Sequence, residues 1–233
     1  MASSKKYGYQ LRGDKLAIWE CHANTGKYCA QTLQTYKPKY ENDGTQIVPS
    51  NISLAKAVYT DGTDRLQIFN TRADGGINLD ATNSVDKGAF TIMWRIILQE
   101  STIATESFMG DTADNSIRMN NSTQIRVKLG GGTNKNFSLP SGVFTNHVEY
   151  IFTLDRDIDG ILHCYVNGGA FNDLKLDGSG VLVETSKATI DHIIGIPGIG
   201  MKGWFFDLMC WKNVVLSKPI RYAMYRVMLE QIR

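Results

Sequence analysis

The apolar residues of this chain fall into short runs, several alternating with polar positions, and from Leu66 onward the runs are spaced almost evenly. They read LQIFN, INLD, FTIMWRIIL, ESFMG, SIRMN, QIRVKL, NFSL, HVEYIFTL, ILHCYV, HIIGI and WFFDLMCW. Alternation places successive side chains on opposite faces of a strand, so the series predicts two packed antiparallel sheets. Two stretches carry the signal best. Val143–Gly169 holds runs His147–Leu154 and Ile161–Val166 around an Asp/Gly turn, a hairpin pattern, and Gly203–Leu216 is a glycine followed by an aromatic-rich strand.

The two ends differ from this pattern. Tyr7–Cys21 predicts a small hairpin, YGYQL and KLAIWE around Arg12-Gly13-Asp14, and His22–Asp64 is polar with no sustained period. Residues 1–65 are therefore read as a hairpin and irregular arm, and 66–233 as the sandwich domain. At the other end Ser217 can cap a helix with Pro219 in its first turn. Ile220, Ala223, Met224, Val227, Met228 and Ile232 share one helical face, which predicts a short helix capping a sheet edge.

Composition fits that picture. With 233 residues and 42% hydrophobic content the chain can bury a full core as one main domain, and 22 glycines supply tight turns. The formal net charge of +2 is dispersed, which favours neither nucleic acid nor a membrane as partner. Met1–Lys6 is polar with no apolar run after it, so the expectation is synthesis as a soluble intracellular protein without a secretory signal. Cys21, Cys29, Cys164 and Cys210 show no metal spacing and are read as reduced thiols, Cys164 and Cys210 in the core. Cys21 and Cys29 could bridge only in an oxidising setting.

Each candidate chemistry has a plainer reading. Asp155–Gly160 matches the first half of a calcium loop, but Val166 stands where the bidentate Glu belongs, so a hairpin turn is preferred. Gly198–Gly203 fits G-x-G-x-x-G, yet Trp204–Met209 continues as a strand rather than a phosphate-binding helix. Glu100, Glu106, Glu149 and Glu184 stand singly and are read as surface charges, so the paired carboxylates of a glycosidase are lacking. His22, His147, His163 and His192 are dispersed, and Arg12-Gly13-Asp14 is read as turn chemistry. Trp19, Trp94, Trp204 and Trp211 sit in strands and are assigned to packing. Asp111, Asp114, Asn115, Asn120 and Asn121 could line a sugar site at the sandwich rim, but turn formation is the favoured role. No catalytic, cofactor-binding or metal-ligating residue is assigned, no cofactor is expected, and the chain is not read as an enzyme.

The order of strands from Phe90 to Met228 resembles the concanavalin A-like, laminin G-like jelly roll, with His147-Val148, Asn167-Gly168 and Gly203-Trp204 at the family's marker positions. That resemblance implies an all-β, two-sheet antiparallel jelly-roll sandwich. The opening Lys6–Ile18, KYGYQLRGDKLAI, resembles a segment of marine tailed-phage virion proteins. Together they imply a virion structural protein, a capsid or tail decoration subunit made in the host cytoplasm, partnered by other virion proteins and forming a homo-oligomer. The alternative from the same fold is a carbohydrate-binding adhesin that recognises host surface glycans.

Overall fold

The computed structural model describes strands at residues 3–4, 9–12, 15–20 and 27–30, and then residues 58–62, 65–70, 77–79, 88–99, 106–112, 115–140, 145 and 147–230. The strands in chain order begin with β1 (Ser3–Ser4), β2 (Tyr9–Arg12), β3 (Lys15–Glu20), β4 (Lys27–Ala30), β5 (Val58–Asp61), β6 (Leu66–Asn70) and β7 (Ile77–Asn78). The centre supplies β8 (Phe90–Leu98), β9 (Ser107–Thr112), β10 (Asn115–Asn121), β11 (Gln124–Lys128), β12 (Lys135–Ser138), β13 (Glu149–Arg156) and β14 (Leu162–Gly168). The remainder are β15 (Phe171–Lys175), β16 (Asp177–Ser179), β17 (Thr189–Ile190), β18 (His192–Ile193), β19 (Gly195–Ile196), β20 (Ile199–Gly200) and β21 (Lys202–Lys212), before the helix α1 (Lys218–Glu230).

Two sheets form the body, one of six strands in the order β15-β14-β13-β8-β21-β5 and one of eleven in the order β1-β2-β3-β4-β6-β18-β9-β10-β11-β12-β16. The expected all-β, two-sheet antiparallel sandwich with a C-terminal helix is what forms. The N-terminal hairpin pairs β2 with β3, while Gly13 and Asp14 of its turn lie outside the described residues. Strand β5, from the stretch read as irregular, forms one edge of the six-stranded sheet.

The core follows from strand alternation. Ile92, Trp94 and Ile96 of β8 and Tyr150, Phe152 and Leu154 of β13 meet Phe108, Ile117, Ile125, Val127 and Phe137 of the other sheet. Trp94 marks the join, its ring 5.3 Å from Phe152 in its own sheet and 5.7 Å from Phe108 across the gap. Such aromatic contacts add directional preference to the area they bury. Cys164 lies fully in this core and Cys210 packs against it, both as free thiols. Burial pushes the Cys164 thiol well above its ordinary value.

Two marker glycines are fixed by close approach of strands. Gly168 has φ +116°, and a Cβ there would strike the Glu149 carbonyl; Gly203 has φ +144°, and a Cβ there would strike the Ile97 carbonyl. The third marker, His147-Val148, is a turn rather than a strand start. His147 sits at φ +61° and donates its N–H to Leu98, so β13 begins at Glu149 and runs on to Arg156.

Helix α1 departs from expectation. It lies over the face of the six-stranded sheet, where Met93, Ile151 and Leu216 pack with Tyr225 and Met228, rather than over a sheet edge. Only part of its expected apolar stripe faces the sheet: Met228 is buried there and Met224 packs beside it, while Ile220 is 49% exposed and Val227 38%, and Arg221 is buried. The reason is polar. The Arg221 guanidinium donates to both carboxylate oxygens of Asp173 at 3.1 and 2.9 Å and to the Leu216 carbonyl at 2.9 Å, and it stacks 3.8 Å above the Tyr165 ring. The Tyr225 hydroxyl donates to Asp173 at 2.6 Å and meets Thr153 Oγ1 at 3.3 Å. At the far end Arg95 donates to the Met228 carbonyl at 2.6 Å and to Glu149 at 2.8 Å, a cation at the helix C-terminus where the macrodipole favours one. Ser217 takes its expected capping position, its carbonyl accepting the Arg221 N–H at 2.9 Å.

Two substitutions test these supports by urea unfolding. Trp94→Ala removes the ring that joins the sheets and is expected to cost about 3–5 kcal/mol, the range for large aromatic truncations in a core. Arg221→Ala leaves Asp173 buried without its cation and is expected to cost about 3–5 kcal/mol; a loss under about 1 kcal/mol would show that the clamp contributes little.

Candidate functional site

The outward face of the eleven-stranded sheet is built by the same alternation that fills the core. Ile117, Met119, Ile125, Val127 and Phe137 turn inward, and Arg118, Asn120, Gln124, Arg126, Lys128, Asn136 and Ser138 turn outward and are half-buried. The pairing register sets these outward groups in rows. Arg118 stands opposite Arg126, Arg126 opposite Asn136, and Asn136 opposite Ser179. In the next row Gln124 faces Ser138 and Ser138 faces Asp177. A bulge between Met119 and Asn121 swings Asn120 towards this row, where its amide donates to Gln124 at 3.0 Å.

Arg126 Nε donates to the Asn136 amide oxygen at 3.4 Å, which ties the guanidinium across the strand direction. Chemically the face offers forked cationic donors flanked by amides and hydroxyls, a set suited to carboxylates, sulfates and vicinal hydroxyls.

The rim residues singled out from the sequence do not converge. Asn115 is buried and fully used, donating to the Thr189 carbonyl at 3.0 Å and accepting from the Gly130 N–H at 3.2 Å. Asn121 caps the β10–β11 turn by accepting from Thr123 N–H at 2.9 Å. Asn115 and Asn120 lie at opposite ends of β10, separated by roughly 17 Å at about 3.3 Å per residue. Asp111 is held at the end of β9, where Thr112 Oγ1 donates to it at 2.8 Å, and Asp114 lies outside the described residues. Among the described residues of this set, only Asn120 joins the polar rows.

The other motifs resolve into structure. The β13–β14 turn is closed by Asp157, whose carboxylate accepts from the Asp159 N–H at 2.9 Å and the Ile161 N–H at 2.8 Å and lies 3.5 Å from His163. Asp155 and Arg156 are not in that turn: they belong to β13 and are each 1% exposed. Arg156 donates to the carbonyls of Gly88 and Ser186 and stacks on Phe90, fixing the segment before β17. The glycine-rich run forms the β19–β20 hairpin and the start of β21. Glu149 and Glu184 are not free surface charges. Glu149 pairs with Arg95, and Glu184 is buried and accepts the Ser186 N–H at 2.8 Å. Glu100 and His22 lie outside the described residues, as do the Trp19, Cys21 and Cys29 side chains. Trp94 and Trp204 are buried as expected of packing residues, and Trp211 packs partly buried beneath α1. Among the described residues, no three His, Cys, Asp or Glu side chains come together as a metal site.

Sequence reasoning missed Asp155. Both its carboxylate oxygens are buried without a hydrogen bond, on the sheet face beneath α1. Burial raises its pKa from 3.8 to about 7, opposed by Arg221 and Lys175 and reinforced by Asp157 and Asp173. Its signal in the sequence was a charge at an inward position of a long apolar strand, which the turn assignment absorbed.

No family model matches the sequence, and no curated protein does. Solved structures do. A botulinum neurotoxin type C chain, reported for the dependence of cell entry on two ganglioside molecules, aligns with TM-score 0.53 at 13% identity, covering 92% of this chain and 51% of that one. The binding domain of botulinum neurotoxin DC in complex with rat synaptotagmin II gives TM-score 0.52 at 14% identity, covering 92% and 52%. A Trypanosoma rangeli sialidase gives 0.50 at 15% identity, covering 96% of this chain and 33% of that one. The chain thus spans about half or a third of the length of these three. At these identities the likeness is one of fold, and the fold is a jelly-roll β-sandwich.

Proposed function

We propose that this protein binds glycans, with a preference for sugars bearing a carboxylate or sulfate, through the outward face of β10, β11 and β12. The observation that carries the reading is the outward row Arg126–Asn136–Ser179, with Gln124, Asn120 and Ser138 beside it. Guanidinia supply charge and forked donors to an acidic group, and the amides and hydroxyls supply the partners that sugar hydroxyls need. The jelly-roll sandwich shared with a neurotoxin that interacts with gangliosides supports the same reading. Binding rather than turnover is the proposed role.

A second reading is favoured by the outward side of α1. Ile220 and Val227, with Val214 and Val215 just before the helix, are each 38–49% exposed, an apolar strip suited to association with other proteins. On this reading the chain is a structural subunit of a tailed-phage particle, a capsid or tail decoration that also self-associates. Electron microscopy of the particle without density for it would end this second reading.

A glycan array holding neutral and acidic glycans, run with and without calcium, tests the first. Acidic glycans are expected to bind, and Arg126→Gln is expected to weaken them on the order of 10- to 100-fold, the loss of one charge-assisted hydrogen-bonding group. Asn115→Ala is expected to lower stability while leaving affinity unchanged. An array with no bound glycan, or an Arg126→Gln protein that binds like the parent, sinks the proposal.

A further inference from the structure

Asp155 sits where three elements meet. It is paired in register with Thr91 of β8 and His163 of β14, on the face that α1 covers. Thr91 Oγ1 donates to the Val214 carbonyl at 2.8 Å and accepts the Leu216 N–H at 3.2 Å, so the chain leading into α1 is anchored beside this carboxyl. The helix directs Arg221 and Tyr225 at the same region, β15 contributes Asp173 and Lys175, β14 contributes His163 and Tyr165, and the β13–β14 turn contributes Asp157. The three guanidinium nitrogens of Arg221 are committed elsewhere, to Asp173 and Leu216. Asp155 is left 1% exposed with neither oxygen hydrogen-bonded.

We propose that Asp155 is a proton-operated latch for helix α1: as the neutral acid it lets the helix seat on the sheet, and as the carboxylate it competes with Asp173 for Arg221 and loosens the seat. An ionised carboxylate in this site has no donor of its own, and a buried charge without a partner is costly. Arg221 is the cation that acts on it most strongly, ahead of Lys175, and any turn of the guanidinium towards Asp155 weakens the bond to Asp173. That bond also orients Asp173 to receive Tyr225, so the strain passes one turn further along the helix.

The direction with pH follows from proton binding. The seated state keeps the proton to about pH 7, whereas the carboxyl in water releases it near 3.8. The seated state therefore binds more protons between these values, so seating is strongest below about pH 4, weakens as pH rises to 7 and is level above. The gap corresponds to a seating equilibrium that falls on the order of a thousandfold across the window. His163 acts in the opposite sense: burial lowers its pKa from 6.5, so its contribution to the seated state weakens as pH falls. The two titrations are thus separable by sign.

Amide exchange of the α1 residues in the full chain, corrected for the intrinsic pH dependence, reads the latch directly. Protection over Tyr222–Met228 is expected to drop roughly 10- to 1000-fold between pH 4 and pH 8 in the parent and to lose that fall in Asp155→Asn. Carbon NMR of the Asp155 carboxyl provides a measurement that needs no variant, with a midpoint expected near 7. A midpoint near 4, parent protection that does not fall with pH, or an Asp155→Asn protein that keeps the parental fall would each overturn the latch.

Discussion

Strand β8 has water on neither side. Its even positions, Ile92, Trp94 and Ile96, enter the core between the sheets, and Met93 on its odd side packs under α1 with Ile151, Leu216, Tyr225 and Met228. A strand buried on both faces obliges the fold to keep a third layer. The helix is therefore part of the body of the protein, and every polar group beneath it has to find a partner within the protein or bear the cost of being without one. Arg221, Asp173, Tyr225 and Thr153 meet that demand as a bonded set, Arg95 meets it at Nη1 and Nη2 but not at Nε, and Asp155 meets it at neither oxygen.

The two sheets consequently divide the work. The six-stranded sheet is closed over by α1 and carries its charges inside, where they act on packing. The eleven-stranded sheet turns a row of guanidinia, amides and hydroxyls outward at β10 to β12, where they can act on something else. Burial decides the electrostatic setting of each: charges under the helix act strongly on one another, and those on the outer face are screened by water.

Much of this was legible in the sequence because alternation is a local signal. SIRMN and QIRVKL announce Ile117, Met119, Ile125 and Val127 as inward and their arginines as outward, and FTIMWRIIL lacks alternation because both its faces are covered. What alternation cannot give is the register between strands, so Arg118 facing Arg126 and the 17 Å or so between Asn115 and Asn120 emerge only from the fold. The helix was read rightly at Met224 and Met228 and wrongly at Ile220 and Val227, for a related reason. An apolar stripe is normally the buried one, but the sheet under α1 presents Thr153, Asp155 and Arg95, and the face bearing Arg221 and Tyr225 satisfies that surface better than Ile220 and Val227 would. The preference belongs to the partner surface, which no window along the helix contains.

Strand β21 holds one residue more than its neighbour β8 between Phe205 and Asp207. Before the bulge, odd-numbered Phe205 faces the core; after it, even-numbered Leu208 and Cys210 do, while Met209 and Trp211 turn to the helix. The strand is thus written in two phases joined at Phe206, whose ring lies 4.6 Å beneath the Arg95 guanidinium. Length change in this strand is therefore quantised: residues gained or lost in pairs preserve which side chains meet the helix, and a single one exchanges the inside of the protein for its outside.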